Sequence, residues 1–550
     1  MTTAAAPDGV PQPEDYRQML LRLAPAPGRW RAALIATLAL VLPATALTLA
    51  DWGHDAVLVS MGAFTAMYAT DRAYRIRAPF LAVVAVLIVT AAFVGGLAGD
   101  VPGAWESGVA LVVTLTVVSG LAVFGANALA FGPPGGFFLA LVTGLAAHVT
   151  HVGTPLGTVV AAAAIGAASA WVVSMTPALW AWRRPQTRSV ATAVGAVEAY
   201  AARARADQPS VRARDTAARA LHDAWGALAD AGTREGPLFD RLYEAHLRFA
   251  AAIADPHAPP STGTVAHVPL GRTEAATRLR SSAHALSADV VITVRVVVAV
   301  ALSGVLAYAL GTGRADWAMV SAVLILHTGV DRVRNTYRAL QRVVGTVVGV
   351  GLFAVLALLE PQGLLLVAVL GVLQLVIEML VVRNYGVAVV FITALVLLIS
   401  EPPGDVDLGI VSDRVLDTLI GAAVAVTVLW LTGRRFNAGV LPYEVGRTAT
   451  AIRALAEVLE GQPPTTPAAA RARRTLQVEL LASSSAADTA YRQAPVQARA
   501  AWPAYAQTQE LGYDLLAHCW LAGTHRTALP DTLRGRITDL PPSSGTTRLG

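Results

Sequence analysis

The chain has 550 residues, more than one ordinary domain. Its hydrophobic fraction is 55 % and its charged fraction 14 %, against about 25 % charged in soluble domains, and the mean hydropathy is +0.54. A chain this poor in charge cannot cover a water-facing surface, so much of it must face lipid. The net charge of +5 and the pI near 9.5 do not point to nucleic acid, because the arginines sit where membrane topology puts them.

The first thirty residues hold Pro7, Pro11, Pro13, Pro25 and Pro27 among scattered charges. No apolar stretch precedes a small-residue cleavage site, so residues 1–29 read as a short cytoplasmic arm rather than a secretory signal. Apolar runs follow at 32–50, 55–70, 79–98, 107–128, 136–150 and 155–178, and again at 291–311, 317–330, 343–359, 363–381, 385–400 and 412–432. The hydrocarbon core is about 30 Å thick, which asks for roughly 20 apolar residues per helix. The runs at 317–330 and 385–400 are short and need flanking residues, local thinning or burial within the bundle.

Arginine placement sets the orientation. Arg17, Arg22, Arg29 and Arg31 precede the first run, and Arg72, Arg75 and Arg77 follow the second. Arg183, Arg184 and Arg188 follow the sixth, and Arg332, Arg334, Arg338 and Arg342 lie between the eighth and ninth. Arg383 follows the tenth, and Arg434 and Arg435 follow the twelfth. If all twelve runs span, every one of these falls on one side. The other side carries Asp51, Asp55, Asp100, Glu106, Glu360, Glu401, Asp405 and Asp407, broken only by Arg314 and Arg414. The expectation is an all-α polytopic inner-membrane protein with twelve transmembrane helices and both termini inside.

The chain then divides into the arm, a first six-helix block at 30–182, a cytoplasmic helical region at 183–290, a second six-helix block at 291–433 and a second cytoplasmic helical region at 434–550. The two blocks repeat in the same orientation: Asp55-Ala56 heads the second run and Asp316-Trp317-Ala318 the eighth, each followed by a basic cluster. A finer repeat lies within the second block. Arg342 to Gly349 and Arg414 to Gly421 both read R-x-x-x-T-x-x-G on antiparallel helices, each third in its triplet, which suggests a three-plus-three inverted repeat; chance likeness of apolar helix starts is the alternative. In the soluble regions 188–206, 211–231 and 237–254 have helical spacing, with Leu238, Leu242, Ala245 and Phe249 on one face. Residues 255–271 read as a linker, 441–461, 467–488 and 500–523 as helices, and the tail from 529 as loose.

No phosphate loop and no H-E-x-x-H string is present, so neither ATP hydrolysis nor zinc chemistry is expected, and no cofactor. The single cysteine, Cys519, follows His518 without partners at metal spacing and reads as a buried helix position. The arginine motif is the most specific feature. A guanidinium binds carboxylate bidentately, so Arg342 and Arg414, each with a threonine one turn on (Thr346, Thr418), could recruit an organic anion at the two mouths. Arg342 also reads as an inside anchor, and Arg414 as half of a pair with Asp413 or Asp417. Gly345 and Gly349 read as close helix packing.

Glu378 lies in an apolar run one turn after Gln374, where an ionised group costs about 2.5–3.5 kcal/mol at mid-bilayer. It could carry a coupling proton or pair with Arg383. His327 closes the eighth run and suits protonation chemistry, or is simply interfacial; His148 and His151 read likewise. Asn384, Tyr385 and Gly386 form a tight link, matched in the first block by Phe131-Gly132-Pro133-Pro134-Gly135-Gly136-Phe137. Trp317 sits at the outer mouth, either in an aromatic belt or as a stacking face for substrate.

With Trp317 to Ser321, Arg338 to Gly349, Asn384-Tyr385-Gly386 with Thr393, and Arg414 to Gly421, the chain resembles the fusaric acid resistance family of aromatic acid exporters over residues 30–435. The second block resembles it better; the first lacks the R-x-x-x-T-x-x-G string. The resemblance implies efflux of organic, often aromatic carboxylic, anions driven by the proton gradient, with a periplasmic adaptor in some members. The expected partners are a small organic anion and the bilayer, with self-association left open. A passive anion channel of similar architecture and a non-transporting scaffold for envelope assembly are the rival readings.

Overall fold

The computed structural model describes residues 28–208, 210–257, 269, 275–283, 287–400, 408–493, 495–522 and 529–540. Arg17, Arg22, Glu401, Asp405, Asp407 and most of the 255–271 linker lie outside the described residues. Among those described, the regular structure is helical throughout.

In chain order the helices are α1 (Arg29–Leu49), α2 (Tyr74–Gly99), α3 (Ala104–Ala128), α4 (Phe137–His151), α5 (Leu156–Met175), α6 (Arg184–Arg205), α7 (Val211–Ala231), α8 (Pro237–Ala254) and α9 (Ala275–Ser282). They continue with α10 (Ala288–Ala309), α11 (Ala315–Leu326), α12 (Arg332–Ala357), α13 (Gly363–Leu380), α14 (Tyr385–Ser400), α15 (Leu408–Gly461), α16 (Pro467–Gln493), α17 (Pro495–Leu521) and α18 (Asp531–Thr538). Between α1 and α2 the chain winds through short turns at Gly53–Val59, Ser60–Ala63 and Phe64–Met67. Local chemistry sets several starts. Ser210 caps α7, Ser287 caps α10 and Asp331 caps α12, each accepting a hydrogen bond from the backbone three residues on (3.1–3.3 Å).

Two compact units result. Among the described residues, one is built from those between 28 and 181 and between 275 and 433, the other from those between 182 and 257 and between 434 and 540. In the first unit, α1, α2, α3, α5 with its following turn, α10, α12, α13 and the Ser412–Thr432 part of α15 are long and apolar enough to cross a membrane. Their outer faces leave Leu42, Val86, Leu121, Leu302, Val305 and Val372 exposed, a surface that hydrocarbon solvates and water does not. Twelve spans were expected, and among the described residues eight helices have the length and apolarity to cross. The other four expected spans, which are the second and fifth of each block, are α4, α11, α14 and the broken turns before α2, all too short to cross alone.

Those short elements lie inside the bundle. All twelve residues of α11 are buried, as are Ala56–Ala66, most of α4 and the later half of α14. The long helices shield them from lipid, which is how a short helix is tolerated at membrane depth. Helix α2 packs on α4 and α12 on α14; α13 packs on α1 and α10 on α3. Glycine permits the closest of these approaches. A Cβ on Gly349 would press on the Val390 carbonyl oxygen and Thr393, and one on Gly421 would land on the Ala318 carbonyl oxygen. In the first block Gly95 meets the Thr143 carbonyl and Gly166 that of Val59 in the same way.

The second unit packs α6, α7 and α8 together, and α8 and α16 against α17. Its core includes Leu221, Leu242, Leu455, Leu476, Leu511 and Leu515. Leu242, Ala245 and Phe249 are buried along α8, with Leu238 packed at the edge. The tail read as loose contains α18, whose Arg536 pairs with Asp514 at 2.7 Å and whose flanks bury Leu529 and Leu540. A pattern of only eight residues was too short to register as a helix.

Candidate functional site

Several polar groups of the second membrane block, Arg342, Asp316 and Asp417 among them, lie around Arg414 in its interior. Arg414, near the start of the last span, is 1 % exposed, and its guanidinium lies 3.4 Å from the centroid of the Trp317 ring. None of its three side-chain nitrogens has a hydrogen-bond partner. The pairing with Asp413 or Asp417 expected as one alternative is absent: Asp413 accepts from the Gly313 amide at 3.3 Å, and Asp417, one turn along, makes no ion pair with Arg414. Arg342, Arg314, Asp316 and Asp417 are the charged neighbours of Arg414.

Trp317 is 2 % exposed, which removes it from a lipid-facing belt. Its ring serves two guanidinium groups, Arg414 and, at 5.0 Å, Arg314. Arg314 in turn grips Asp316 through two hydrogen bonds of 3.2 Å. Such a stack is worth about 2 kcal/mol when desolvated, so it fixes where Arg414 sits without neutralising it.

Helix α12 carries Arg338, Arg342 and Thr346 at four-residue spacing, hence on one face. Arg342 and Thr346 are buried; the Arg342 Nε and the Thr346 hydroxyl have no hydrogen-bond partner. Tyr385, at the start of α14, lies within interaction range of Arg342 and under Arg338, whose guanidinium is 4.2 Å from its ring. Asn384 caps α14, accepting from the Val387 amide at 3.2 Å, and the Thr418 hydroxyl donates to the Arg414 carbonyl at 2.9 Å. Those two side chains are thus engaged by local backbone. Ser321, one turn after Trp317, and Thr393 add two buried hydroxyls without partners. The four-residue spacing of Arg338 and Arg342 was visible in the sequence; the convergence of α11, α12 and α15 was not.

Glu378 is 1 % exposed and pairs with Arg29 of α1, accepting from a guanidinium nitrogen at 2.6 Å, while Arg29 Nε donates to the Glu378 carbonyl at 3.0 Å. Its partner is therefore 349 residues away in sequence, not Arg383. His327 is buried at the end of α11, with Nδ1 3.0 Å from the Val323 carbonyl and its ring stacked on Phe137 at 5.8 Å. It lies where the second block meets the Gly135 turn of the first, enclosed by protein.

Two comparisons bear on this arrangement. Residues 300–428, which contain Arg342, Arg414 and all of the intervening helices, match a family described as fusaric acid resistance protein-like. The second membrane block is therefore similar to that family. The chain is also 33 % identical over 216 residues to an uncharacterized membrane protein of Bacillus subtilis, YvaC, a match covering 38 % of this chain and 33 % of that protein. This chain thus matches only about a third of the relative's length. No solved structure matches.

Proposed function

We propose that this protein carries an organic anion, of the aromatic carboxylic class, across the inner membrane from the cytoplasm outward, with both termini cytoplasmic. The observation that carries this reading is Arg414: buried, fixed on Trp317, and without a hydrogen bond. A charge taken out of water and left unpaired costs several kcal/mol. A chain keeps such a group where an anion completes it, and Arg342 with Thr346 offers further donors facing the same interior. The arginine-rich side would raise the local anion concentration at the entry. Glu378 would respond to protons, because protonation removes the charge that holds Arg29 and so loosens the tie between α1 and α13. His327, closed in by Phe137, would at most follow such a movement.

The like packing of α2 on α4 and α12 on α14, and of α13 on α1 and α10 on α3, supports a twofold internal repeat of six elements each. The first block lacks the R-x-x-x-T-x-x-G string, and Ala56 follows Asp55 where Trp317 follows Asp316, which favours one anion site in the second block rather than two. The test is flux of a labelled aromatic carboxylate in proteoliposomes, with and without an imposed pH gradient, for the wild type, Arg342→Ala and Arg414→Ala. Gradient-driven accumulation lost in both folded variants supports the reading. Flux that only follows the anion's own gradient would make the protein a channel. Normal transport by both variants would end the proposed mechanism.

A further inference from the structure

We propose that the anion held at Arg342 and Arg414 carries two negative charges on one planar frame. This rests on the anion-carrier reading above and narrows its ligand. Arg338, Arg342 and Arg414 follow one another through the interior of the second block: Arg342 is a charged neighbour of Arg338 on one side and of Arg414 on the other. The two deeper groups are 2 % and 1 % exposed. The nearby carboxylates are mostly taken. Asp316 is held by Arg314 through two hydrogen bonds, Asp413 accepts from the Gly313 amide, and Glu378, on α13, is held by Arg29. Asp417 remains, so three guanidinium groups face one carboxylate that makes no ion pair with Arg414.

A monoanion in that interior would still leave an arginine uncompensated, with the same desolvation cost that the site already carries. A dianion balances it. Two carboxylates on a rigid ring would let one engage Arg414 and the other Arg342, with the Thr346 hydroxyl, which is without a partner, available to the second. The donors are planar forks suited to bidentate carboxylate contacts. A flat frame suits an interior where Trp317 is already packed against two arginines and where Gly345, Gly349 and Gly421 draw the helices together.

The experiment is calorimetric binding to the full-length protein in nanodiscs at neutral pH. The probes are benzoate, benzene-1,3-dicarboxylate and the uncharged benzyl alcohol. The dicarboxylate should bind at least about tenfold more tightly than benzoate, the worth of one added charge-assisted contact. Arg342→Gln should bring that ratio near one, and Arg342→Lys, which keeps the charge, should retain most of the preference. Benzoate binding as tightly as the dicarboxylate would overturn the dianion inference and leave the anion reading standing. Failure of both acids to bind better than benzyl alcohol would overturn both.

Discussion

Replacing Arg414 by methionine separates its two conceivable duties. If the guanidinium serves the fold, removing it should destabilise the protein. The structure argues the reverse. Arg414→Met forfeits the stack on Trp317, about 2 kcal/mol when desolvated, but no hydrogen bond, because none is made. It also removes an uncompensated buried charge that costs several kcal/mol, and swapping buried ionic groups for apolar ones of like volume is often neutral or stabilising by about 1–4 kcal/mol. Methionine fills the space of the aliphatic stem but stops short of the guanidinium's place on Trp317, so the hole left is small and confined to that end. The expected result is a protein whose apparent Tm is unchanged or raised and whose anion binding and flux are abolished, the trade expected where a site is kept at the fold's expense. Thermal unfolding in detergent, read beside calorimetric titration with benzoate, gives both quantities on one sample. A lowered Tm with flux intact would refute the reasoning and make Arg414 a structural residue.

Other outcomes follow from the same geometry. Glu378→Gln should weaken the tie to Arg29, costing about 1–3 kcal/mol because Arg29 keeps some solvent, and should make flux independent of the pH gradient; gradient-driven accumulation surviving in this variant would end its proton-coupling role. Gly421→Ala places a methyl group on the Ala318 carbonyl oxygen and should lower the Tm and the flux together, whereas Gly351→Ala, with open space around it, should do neither; equal Tm values for the two would contradict the close approach of α11 and α15. In the second unit, burial pushes the Cys519 thiol up to about 12, so a maleimide should label it only after unfolding, and labelling of the native protein would place that side chain at a surface. The same labelling can follow Glu444, whose carboxyl burial raises above its ordinary value while Arg447 pulls it back. With the folded value raised, ionising Glu444 costs stability as pH climbs from its unfolded value through the folded one. Glu444→Gln should therefore protect Cys519 better than wild type at neutral pH, with the difference vanishing at acid pH; a difference that grows on acidification would reverse the assigned sign.

The helices were readable because long apolar runs and 3.6-residue periodicity are local. The expected soluble segments 211–231 and 237–254 coincide with α7 and α8. The short runs at 317–330 and 385–400 already raised burial within the bundle as one remedy for their length, and α11 and the later half of α14 are buried there. The interior contacts were not readable. Glu378 meets Arg29 across nearly the whole membrane region, and nothing local distinguishes that partner from Arg383, which is closer in sequence. Trp317 beside an acidic loop has the pattern of a belt residue, and only the position of α15 reveals that its face is covered by Arg414. The absence of a partner for Arg414 is likewise invisible in a sequence that places Asp413 and Asp417 on either side of it.

The brevity of α11 has an electrical consequence. Twelve residues rise about 18 Å, well short of a hydrocarbon core of roughly 30 Å, and lipid does not touch it. If water reaches both ends of α11, the insulating layer beside Arg414 is thinner than the surrounding membrane, and a voltage imposed across the bilayer falls over a shorter path there. Each elementary charge crossing 100 mV gains or loses about 2.3 kcal/mol, and a displacement of a few ångströms near α11 would claim a larger share of that than the same movement elsewhere. Flux through this block should therefore steepen with an imposed potassium diffusion potential at constant pH, and a flux indifferent to voltage would mean that the charges moved there cancel.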